Sequence, residues 1–259
     1  MTIEIDIQNK EVEKSFWDGQ SQDFRYKSFE KKVYSAFRVP EYIDMIRLVN
    51  STYPLHSRCS IVDIGCSAGV SSITLSTLGF SVTGLDISEG LIDQARTLAL
   101  EEGSDVSFIT GDAAKLPFED ASIDVCFMVG LLHHFPNYLP VLKDIHRILN
   151  TGGIIIAIEP NALNLSYRLS FRLVQLSKGV TENEYPLSPF RLKQEFNSIF
   201  DQVSIIPFRV DDVPFLRQLG YLGKGLCGRL VKTIYLQMRK LFSPKILQGT
   251  FFIAVGKKI

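Results

Sequence analysis

Short apolar runs recur along the chain between residues 60 and 160, and polar or glycine-containing segments separate them. The runs predict strands at 60–65, 81–86, 106–110, 123–129 and 153–158. Strand-to-strand spacings of about 20 to 30 residues are typical of βα units, so the pattern predicts a parallel sheet. The segments IDVCFMV and GGIIIAI are almost wholly apolar, which predicts strands that helices cover on both faces.

The intervening segments predict helices. Leu91 to Leu100 has an amphipathic pattern that Gly103 ends, and Val141 to Leu149 follows the same pattern. Ser188 and Pro189 have the types expected at the N-cap and first position of a further helix. After Pro160 the alternation loosens. Residues 161–178 have a helical pattern, and Gln202 to Val210 and Thr250 to Val255 predict two more strands.

The first 50 residues predict helices rather than strands. Asn9 is a suitable cap for a helix that would run to Gly19, and a second pattern covers about Ser28 to Arg38. A third helix would begin near Pro40 and run through Asn50. Residues 1–50 therefore form either an appendage that covers the sheet edge or a lid whose aromatic side chains enclose a ligand. Residues 51–259 are predicted to form the main domain.

Composition places the chain among ordinary α/β proteins. It has 259 residues, of which 46% are hydrophobic and 22% are charged, enough for one domain with appendages. No apolar run approaches the roughly 18 to 20 residues that a membrane-spanning helix needs, and the acidic N-terminus lacks a signal-peptide core. The four cysteines form no CxxC pair, so we expect reduced packing cysteines and a cytoplasmic location.

The net charge of zero hides a division along the chain. Nine basic and no acidic residues follow position 212, which leaves 19 basic and 28 acidic residues before it. Within this basic tract, Leu226 to Phe242 places apolar residues mainly on one helical side and basic residues mainly on the other. Such a helix either lies in a membrane interface or packs on the domain as a solvated lid. Peripheral membrane contact through residues 213–247 is therefore one hypothesis.

The segment SIVDIGCSAG, residues 60–69, has the pattern of a nucleotide-type pocket. A buried strand runs into a turn with Gly65 and Gly69, where the backbone can bend sharply and approach a ligand. Backbone N–H groups at the start of the next helix are then free to meet a polar group. Asp63 places a carboxylate beside that turn.

Asp63, Asp86 and Asp112 follow three successive predicted strands. In an open α/β sheet, ligands bind outside the carboxyl ends of the strands. Asp86 ends SVTGLD, where an acid accepts both hydroxyls of a ribose, and Asp112 is placed to accept from an adenine amino group. The sequence therefore predicts one crevice that gathers all three carboxylates. A nicotinamide site is the nearest rival, but it expects GxGxxG where this chain has GCSAG.

Four segments resemble the motifs of class I S-adenosylmethionine-dependent methyltransferases, particularly the ubiquinone/menaquinone-type methylases: VDIGCSAG, GLDIS, GDAAKLPFEDASIDVCFMVGLLHH and LKDIHRILNTGGIIIAIEPN. The resemblance is close over about residues 60–160. It implies a Rossmann-like, mostly parallel seven-stranded sheet whose final strand, at 250–257, is antiparallel. It also implies helical insertions at about 161–187 and 211–247. S-adenosyl-L-methionine would be the methyl donor, and S-adenosyl-L-homocysteine the product.

The same resemblance implies the residues that hold the cofactor. Asp63, Gly65, Cys66 and Gly69 would line its methionine end, and Asp86 would hold the ribose. Ile87 would pack on the adenine, whose edge Asp112 and Ala113 would read. Val129, Gly130 and Leu131 would run beside the cofactor. The chain departs from the family where Cys66 and Ser67 replace the frequent Gly-x-Gly, which favours a tighter or shifted turn.

Methyl transfer needs a nucleophile aligned with an activated methyl group and a pocket without water. A hydroxyl nucleophile also benefits from a general base, and His133, His134 and Glu159 are the candidates. Each of them has a structural alternative: the histidines as pocket-shaping residues, and the glutamate as an anchor for the next loop. We expect no metal, because two adjacent histidines without a matching carboxylate cluster are poorly spaced ligands.

The acceptor is expected to be a small molecule, lipid-like or polyketide-like. Methylases that act on base amines often carry an Asn/Asp-Pro-Pro-Tyr/Phe motif, whereas this chain has GLLH at residues 130–133, which argues against nucleic acid. The alternative of a different class is a non-catalytic module that keeps the cofactor fold and docks on a membrane or partner.

Overall fold

The chain forms a seven-stranded sheet with helices on both faces. The computed structural model describes residues 2–22, 39–164, 168, 171–172, 181, 184–208 and 251–259. The strands are β1 (Ser60–Ile64), β2 (Ser81–Asp86), β3 (Ser107–Thr110), β4 (Ile123–Val129), β5 (Leu149–Pro160), β6 (Asp201–Phe208) and β7 (Phe251–Lys257). The described helices are α1 (Thr2–Gln22), α2 (Val39–Asn50), α3 (Val70–Thr77), α4 (Glu89–Glu102), α5 (Leu139–Ile148) and α6 (Pro189–Asn197).

The strand order in the sheet is β3-β2-β1-β4-β5-β7-β6. The first five strands pair in parallel, and β7 runs antiparallel between β5 and β6. The predicted Rossmann-like architecture with an antiparallel last strand is therefore confirmed. The chain reverses direction across the sheet between β1 and β4, the topological switch point at which α/β folds bind ligands.

Alternate residues of the central strands face opposite layers of helices. On one face, α5 and α6 bury Val141, Ile145 and Phe196 against strand residues such as Cys126 and Met128. On the other face, α2 and α3 bury Met45, Val49, Val70 and Leu75 against a second set that includes Ile61, Val125 and Phe127. This two-sided burial is the physical reason why β4 and β5 read as continuous apolar runs.

Local signals in the sequence set several helix ends. The Ser88 hydroxyl accepts a hydrogen bond from Leu91 N, and Gly103 ends α4 in the left-handed region with φ 62°. The Ser188 hydroxyl caps α6, where Pro189 takes the first position. None of the described helices is both long enough and apolar enough to cross a bilayer.

The predicted bounds of the first helix are wrong. We expected it to run from a cap at Asn9 to Gly19, but α1 begins at Thr2 and continues to Gln22. A glycine inside a helix costs only about 1 kcal/mol, and Ser21 beyond it is buried and its carbonyl accepts from Gln94 of α4. The predicted helices at Ser28 to Arg38, at most of 161–178 and in 211–247 lie outside the described residues. The division at residue 50 stays a prediction.

Candidate functional site

The glycine turn after β1 bends over the neighbouring strand. Gly65 N and Cys66 N both donate to Leu85 O of β2, at 2.7 and 3.0 Å. Gly65 has φ 73° and Gly69 has φ 83°, a region that side chains with a Cβ rarely adopt. A Cβ at Gly65 would also lie 2.8 Å from Leu131 Cδ1. The turn therefore needs glycine at these positions both for backbone conformation and for space.

Ser67 takes the left-handed conformation at the point where this chain departs from Gly-x-Gly. Its φ is 51°, and its N–H donates to Asp86 Oδ2 at 2.9 Å. Ser67 therefore supplies a left-handed residue in a turn where the family often has glycine, and its backbone N–H still points at the end of β2.

Asp63 is a buried carboxylate with one satisfied oxygen. Oδ2 accepts from the hydroxyls of Ser71 and Ser72, both at 2.6 Å, while the residue is 1% exposed. Within the described residues, Oδ1 is buried and has no hydrogen-bond partner. Burial raises the pKa of Asp63 to about 6, although the two serine hydroxyls lower it in part. A buried, unpartnered carboxylate oxygen at this place fits a cationic group of a ligand.

Asp86 organises the start of the helix that follows β2. Its Oδ2 accepts from Ser67 N and its Oδ1 from Ser88 N, each at 2.9 Å. Burial raises the pKa of Asp86, and these backbone amides offset part of that rise. Each oxygen keeps a second lone pair, so the carboxylate is able to accept from a ligand as well.

Asp112 lies after β3, and α1 reaches it. Lys10 Nζ lies 2.6 Å from Asp112 Oδ2, and both side chains are about one-third exposed. Asp112 Oδ1 accepts from Ala114 N at 2.9 Å. Gly111 N donates to Asp86 O, which holds the loop against the end of β2. The three predicted acids therefore sit on adjacent parallel strands at one edge of the sheet.

The remaining predicted cofactor residues occupy the same edge in different ways. The Cys66 side chain points into a core cluster with Ile73 and Phe108, so only its backbone faces the turn. A Cβ at Gly69 would meet Ala95 and Phe108 at 2.8 Å, so Gly69 serves helix packing. The others lie at or just after the ends of β2, β3 and β4, with Ala113 buried and the rest half-buried: Ile87, Ala113, Val129, Gly130 and Leu131. Their contacts with a cofactor stay predictions.

Helix α1 lies across the carboxyl ends of the strands. Besides the Lys10 ion pair, Asp18 Oδ1 accepts from the Ser88 hydroxyl at 2.5 Å, and Gln94 Nε2 donates to Ser21 O at 2.7 Å. The Trp17 ring packs edge-on against the His134 ring, with centroids 5.8 Å apart. The helix thus covers the positions at which the sequence predicts ribose and adenine.

The predicted catalytic residues lie together beside this edge, where His133 and Glu159 are hydrogen-bonded and the His134 ring lies 4.3 Å from the His133 ring, centroid to centroid. His133 Nδ1 lies 2.9 Å from Glu159 Oε2, and Glu159 Oε1 accepts from the backbone N–H groups of Leu131 and Leu132. Glu159 is fully buried with both oxygens engaged, so it holds the loop after β4 and the His133 ring. Its predicted alternative role as an anchor is the one that this geometry favours.

Two carboxylates that the sequence reasoning missed complete the group. Glu184 Oε2 lies 3.8 Å from His133 Nε2, and Glu184 Oε1 lies 3.7 Å from His134 Nδ1. Glu13 Oε2 of α1 lies 3.1 Å from His134 Nδ1. Burial opposes protonation of His133, but Glu159 and Glu184 outweigh it and raise its pKa to about 9. The expectation that the histidine pair has no matching carboxylates is therefore wrong.

No local signal marked these partners. Glu13 and Glu184 are far from the pair in sequence, and only the fold brings them to it. Ser71 and Ser72, in contrast, were detectable, because a strand-turn-helix unit places the first turn of the helix beside the end of the strand.

The sheet order and this edge together define a class I methyltransferase fold. A family model described as "Methyltransferase domain" matches residues 62–157. Demethylmenaquinone methyltransferase of Staphylococcus aureus (strain MRSA252) is 32% identical over 168 residues, which make up 58% of this chain and 68% of that protein.

Two solved structures share the fold. The methyltransferase in complex with the Haloferax volcanii Trm112 methyltransferase activator has a TM-score of 0.63 and 19% identity, covering 93% of this chain and 96% of that one. A SAM-dependent methyltransferase from Thermotoga maritima has a TM-score of 0.60 and 17% identity, covering 91% and 96%. The chain belongs to the class I S-adenosylmethionine-dependent methyltransferases, in the ubiquinone/menaquinone-type group. It is an enzyme, as the sequence predicted.

Proposed function

We propose that this enzyme transfers the methyl group of S-adenosylmethionine to a lipid-like small molecule of the quinone type. The similarity to a demethylmenaquinone methyltransferase supports this acceptor class. The observation that carries the cofactor part is the buried Oδ1 of Asp63 at the glycine turn, which has no hydrogen-bond partner among the described residues. S-adenosylhomocysteine would be the second product.

In this proposal, each carboxylate at the sheet edge binds a different part of the cofactor. Asp63 Oδ1 accepts from the ammonium group of the methionine part, which supplies the partner that the described chain lacks. Asp86 accepts from the ribose hydroxyls while its backbone contacts keep it in place. Asp112, Ala113 and Ile87 surround the adenine.

The protein contributes to the reaction by positioning the acceptor against the methyl donor and by excluding water from the site. S-adenosylmethionine supplies an already activated methyl group on a sulfonium. The protein then has to hold the acceptor atom about 3 Å from that methyl in line with the bond that breaks. Helix α1 covers this edge and keeps water out. Val129, Gly130 and Leu131 form the side of the pocket, since Leu131 packs over Gly65.

A two-part experiment tests the cofactor and the acceptor separately. Calorimetry with S-adenosylmethionine should show binding that Asp63→Asn weakens and that Asp93→Asn, an exposed acid on α4, leaves unchanged. Methyl-labelled donor should then label demethylmenaquinone, in its reduced form, in a lipid extract. Failure of the first part contradicts the donor site, whereas binding without transfer contradicts only the acceptor.

The acceptor class also supports a place for this enzyme at the cytoplasmic face of a membrane. A lipid-like acceptor resides in a bilayer, and the basic tract at 213–247 attracts anionic lipid. Sedimentation with anionic vesicles should deplete the protein, and replacing Arg239 and Lys240 with glutamate should reduce this binding. Unchanged binding in that variant would refute the contribution of the tract.

A further inference from the structure

The histidine cluster, which we define as His133, His134 and Glu184, brings three potential metal-ligating side chains together. One ligand atom from each residue lies within 4.8 Å of the others. The two nitrogen–oxygen distances, 3.8 Å to His133 Nε2 and 3.7 Å to His134 Nδ1, exceed those of hydrogen bonds. Two ligands bound at about 2.0 to 2.2 Å to one tetrahedral ion lie about 3.4 Å apart.

We propose that the histidine cluster binds one divalent transition-metal ion of the Zn²⁺ type. The ligands would be His133 Nε2, His134 Nδ1 and the Glu184 carboxylate, a set of two imidazoles and one carboxylate that suits zinc. The two nitrogen–oxygen distances, 3.8 and 3.7 Å, exceed the ligand spacing of about 3.4 Å around a tetrahedral ion by less than about half an ångström.

Glu159 presents one of these ligands. It lies 2.9 Å from His133 Nδ1 through Oε2, while two backbone N–H groups fix Oε1. A proton held on Nδ1 leaves the lone pair on Nε2, the nitrogen that faces Glu184. Metal-bound histidines commonly have such a carboxylate partner on the other ring nitrogen, which orients the ring and strengthens the ligand. Glu159 is therefore a positioning residue for the site.

Glu13 offers a fourth ligand, a carboxylate oxygen from α1. Its Oε2 lies 3.1 Å from His134 Nδ1, and the Thr181 hydroxyl and the Trp17 indole N–H also contact this carboxylate. With Glu13 as fourth ligand, the ion would join the helix over the cofactor edge to the loop after β4. The coordination would then be closed, as in structural zinc sites.

The charge balance favours a cation at this point. Glu13, Glu159 and Glu184 are each at most 9% exposed, and all three lie beside the two imidazoles of the cluster. Buried carboxylates are costly unless positive charge compensates them. A dication supplies that charge, and the imidazoles then bind in their neutral form.

Zinc titration of the full chain, without an affinity tag and after treatment with a chelator, tests the proposal. Calorimetry should show one Zn²⁺ per chain. We expect Glu184→Gln and His134→Asn to weaken binding at least about 100-fold, and Glu159→Gln to weaken it about 10- to 100-fold. His56→Asn and Glu119→Gln, both outside the cluster, are matched controls that should bind as the wild type does.

Two further readouts keep the test decisive. Circular dichroism establishes that each variant is folded, so that lost binding is not lost structure. Co²⁺ in place of Zn²⁺ should give the visible absorption of a tetrahedral nitrogen–oxygen site, absent in Glu184→Gln. A wild type that does not bind Zn²⁺, or one whose binding Glu184→Gln and His134→Asn leave unchanged, overturns the proposal. Neither outcome bears on the methyl donor, since the titration contains none.

Discussion

Replacing Asp63 with asparagine should abolish a pH dependence of cofactor affinity. Asp63 is 1% exposed and, within the described residues, its Oδ1 has no partner. Burial raises its pKa to about 6, so much of it is protonated in mildly acidic solution. An ammonium group at Oδ1 favours the ionised form. Binding of S-adenosylmethionine should therefore release a proton below neutral pH.

The magnitude follows from the pKa. At pH 5, one unit below a pKa of about 6, some nine-tenths of the free enzyme carries the proton that the ligand must displace. The affinity should therefore be about tenfold weaker at pH 5 than at pH 7. Asparagine at this position binds no proton, and it also loses the charge that attracts the ammonium. Its affinity should be lower at pH 7 and nearly independent of pH.

Calorimetry in two buffers with different ionisation enthalpies measures both the affinity and the protons released. The wild type should release close to one proton per ligand at pH 5 and little at pH 7. Equal pH dependence in wild type and Asp63→Asn would refute the assignment, because another group would then be titrating. Constant affinity in the wild type would refute the raised pKa.

Three further predictions concern the fold and the helix that covers the site. Gly69→Ala should lower the free energy of unfolding in urea by about 2 to 4 kcal/mol, because its Cβ would lie 2.8 Å from Ala95 and Phe108. Gly79 has a similar φ but open space around it, so Gly79→Ala should lower that free energy by only about 1 kcal/mol. Trp17 is the sole tryptophan, so its fluorescence should report release of α1 at lower urea than the circular dichroism transition, since polar contacts hold this helix. Coincident transitions would contradict this. Arg147→Met should lower the free energy of unfolding by about 1 to 3 kcal/mol, because the guanidinium joins Asp144 to the carbonyls of the loop after β3. Thermal unfolding measures this loss, and an unchanged melting temperature would contradict the prediction.

The raised pKa of Asp63 also predicts how the stability of the ligand-free enzyme depends on pH. Its folded pKa of about 6 lies above the ordinary 3.8, so between these values the folded chain binds more protons than the unfolded one. Stability should therefore fall as the pH rises from about 4 to about 6, by up to about 3 kcal/mol. Urea unfolding of Asp63→Asn should lack this fall.

The sheet was predictable because its signals are local. The apolar runs, the turn glycines and the serine caps each act over a few residues, and the family resemblance added the number of strands and the antiparallel β7. The N-terminal helix was misjudged where tertiary contacts of Ser21 outweigh the weak stop signal of Gly19. Local rules fail where packing decides.

The residues of the candidate site were likewise predictable only in part. Asp63, Asp86 and Asp112 were predictable because parallel strands bring their ends to one edge. The partners of His133 and His134 were not, because Glu13 comes from α1 and Glu184 from a segment beyond β5. Nothing in the spacing of these glutamates marks them, since contacts between such distant residues depend on the assembled fold.

The placement of β7 has a consequence for biosynthesis. Among the strands that the structure describes, β6 pairs only with β7, which follows the segment 209–250 in the chain and lies between β5 and β6 in the sheet. Until β7 leaves the ribosome, β5 presents an unpaired edge and β6 has no strand to join. The nascent chain therefore completes its sheet only when the final strand emerges, and a ribosome that stalls before residue 251 would expose this edge to chaperones or to other chains.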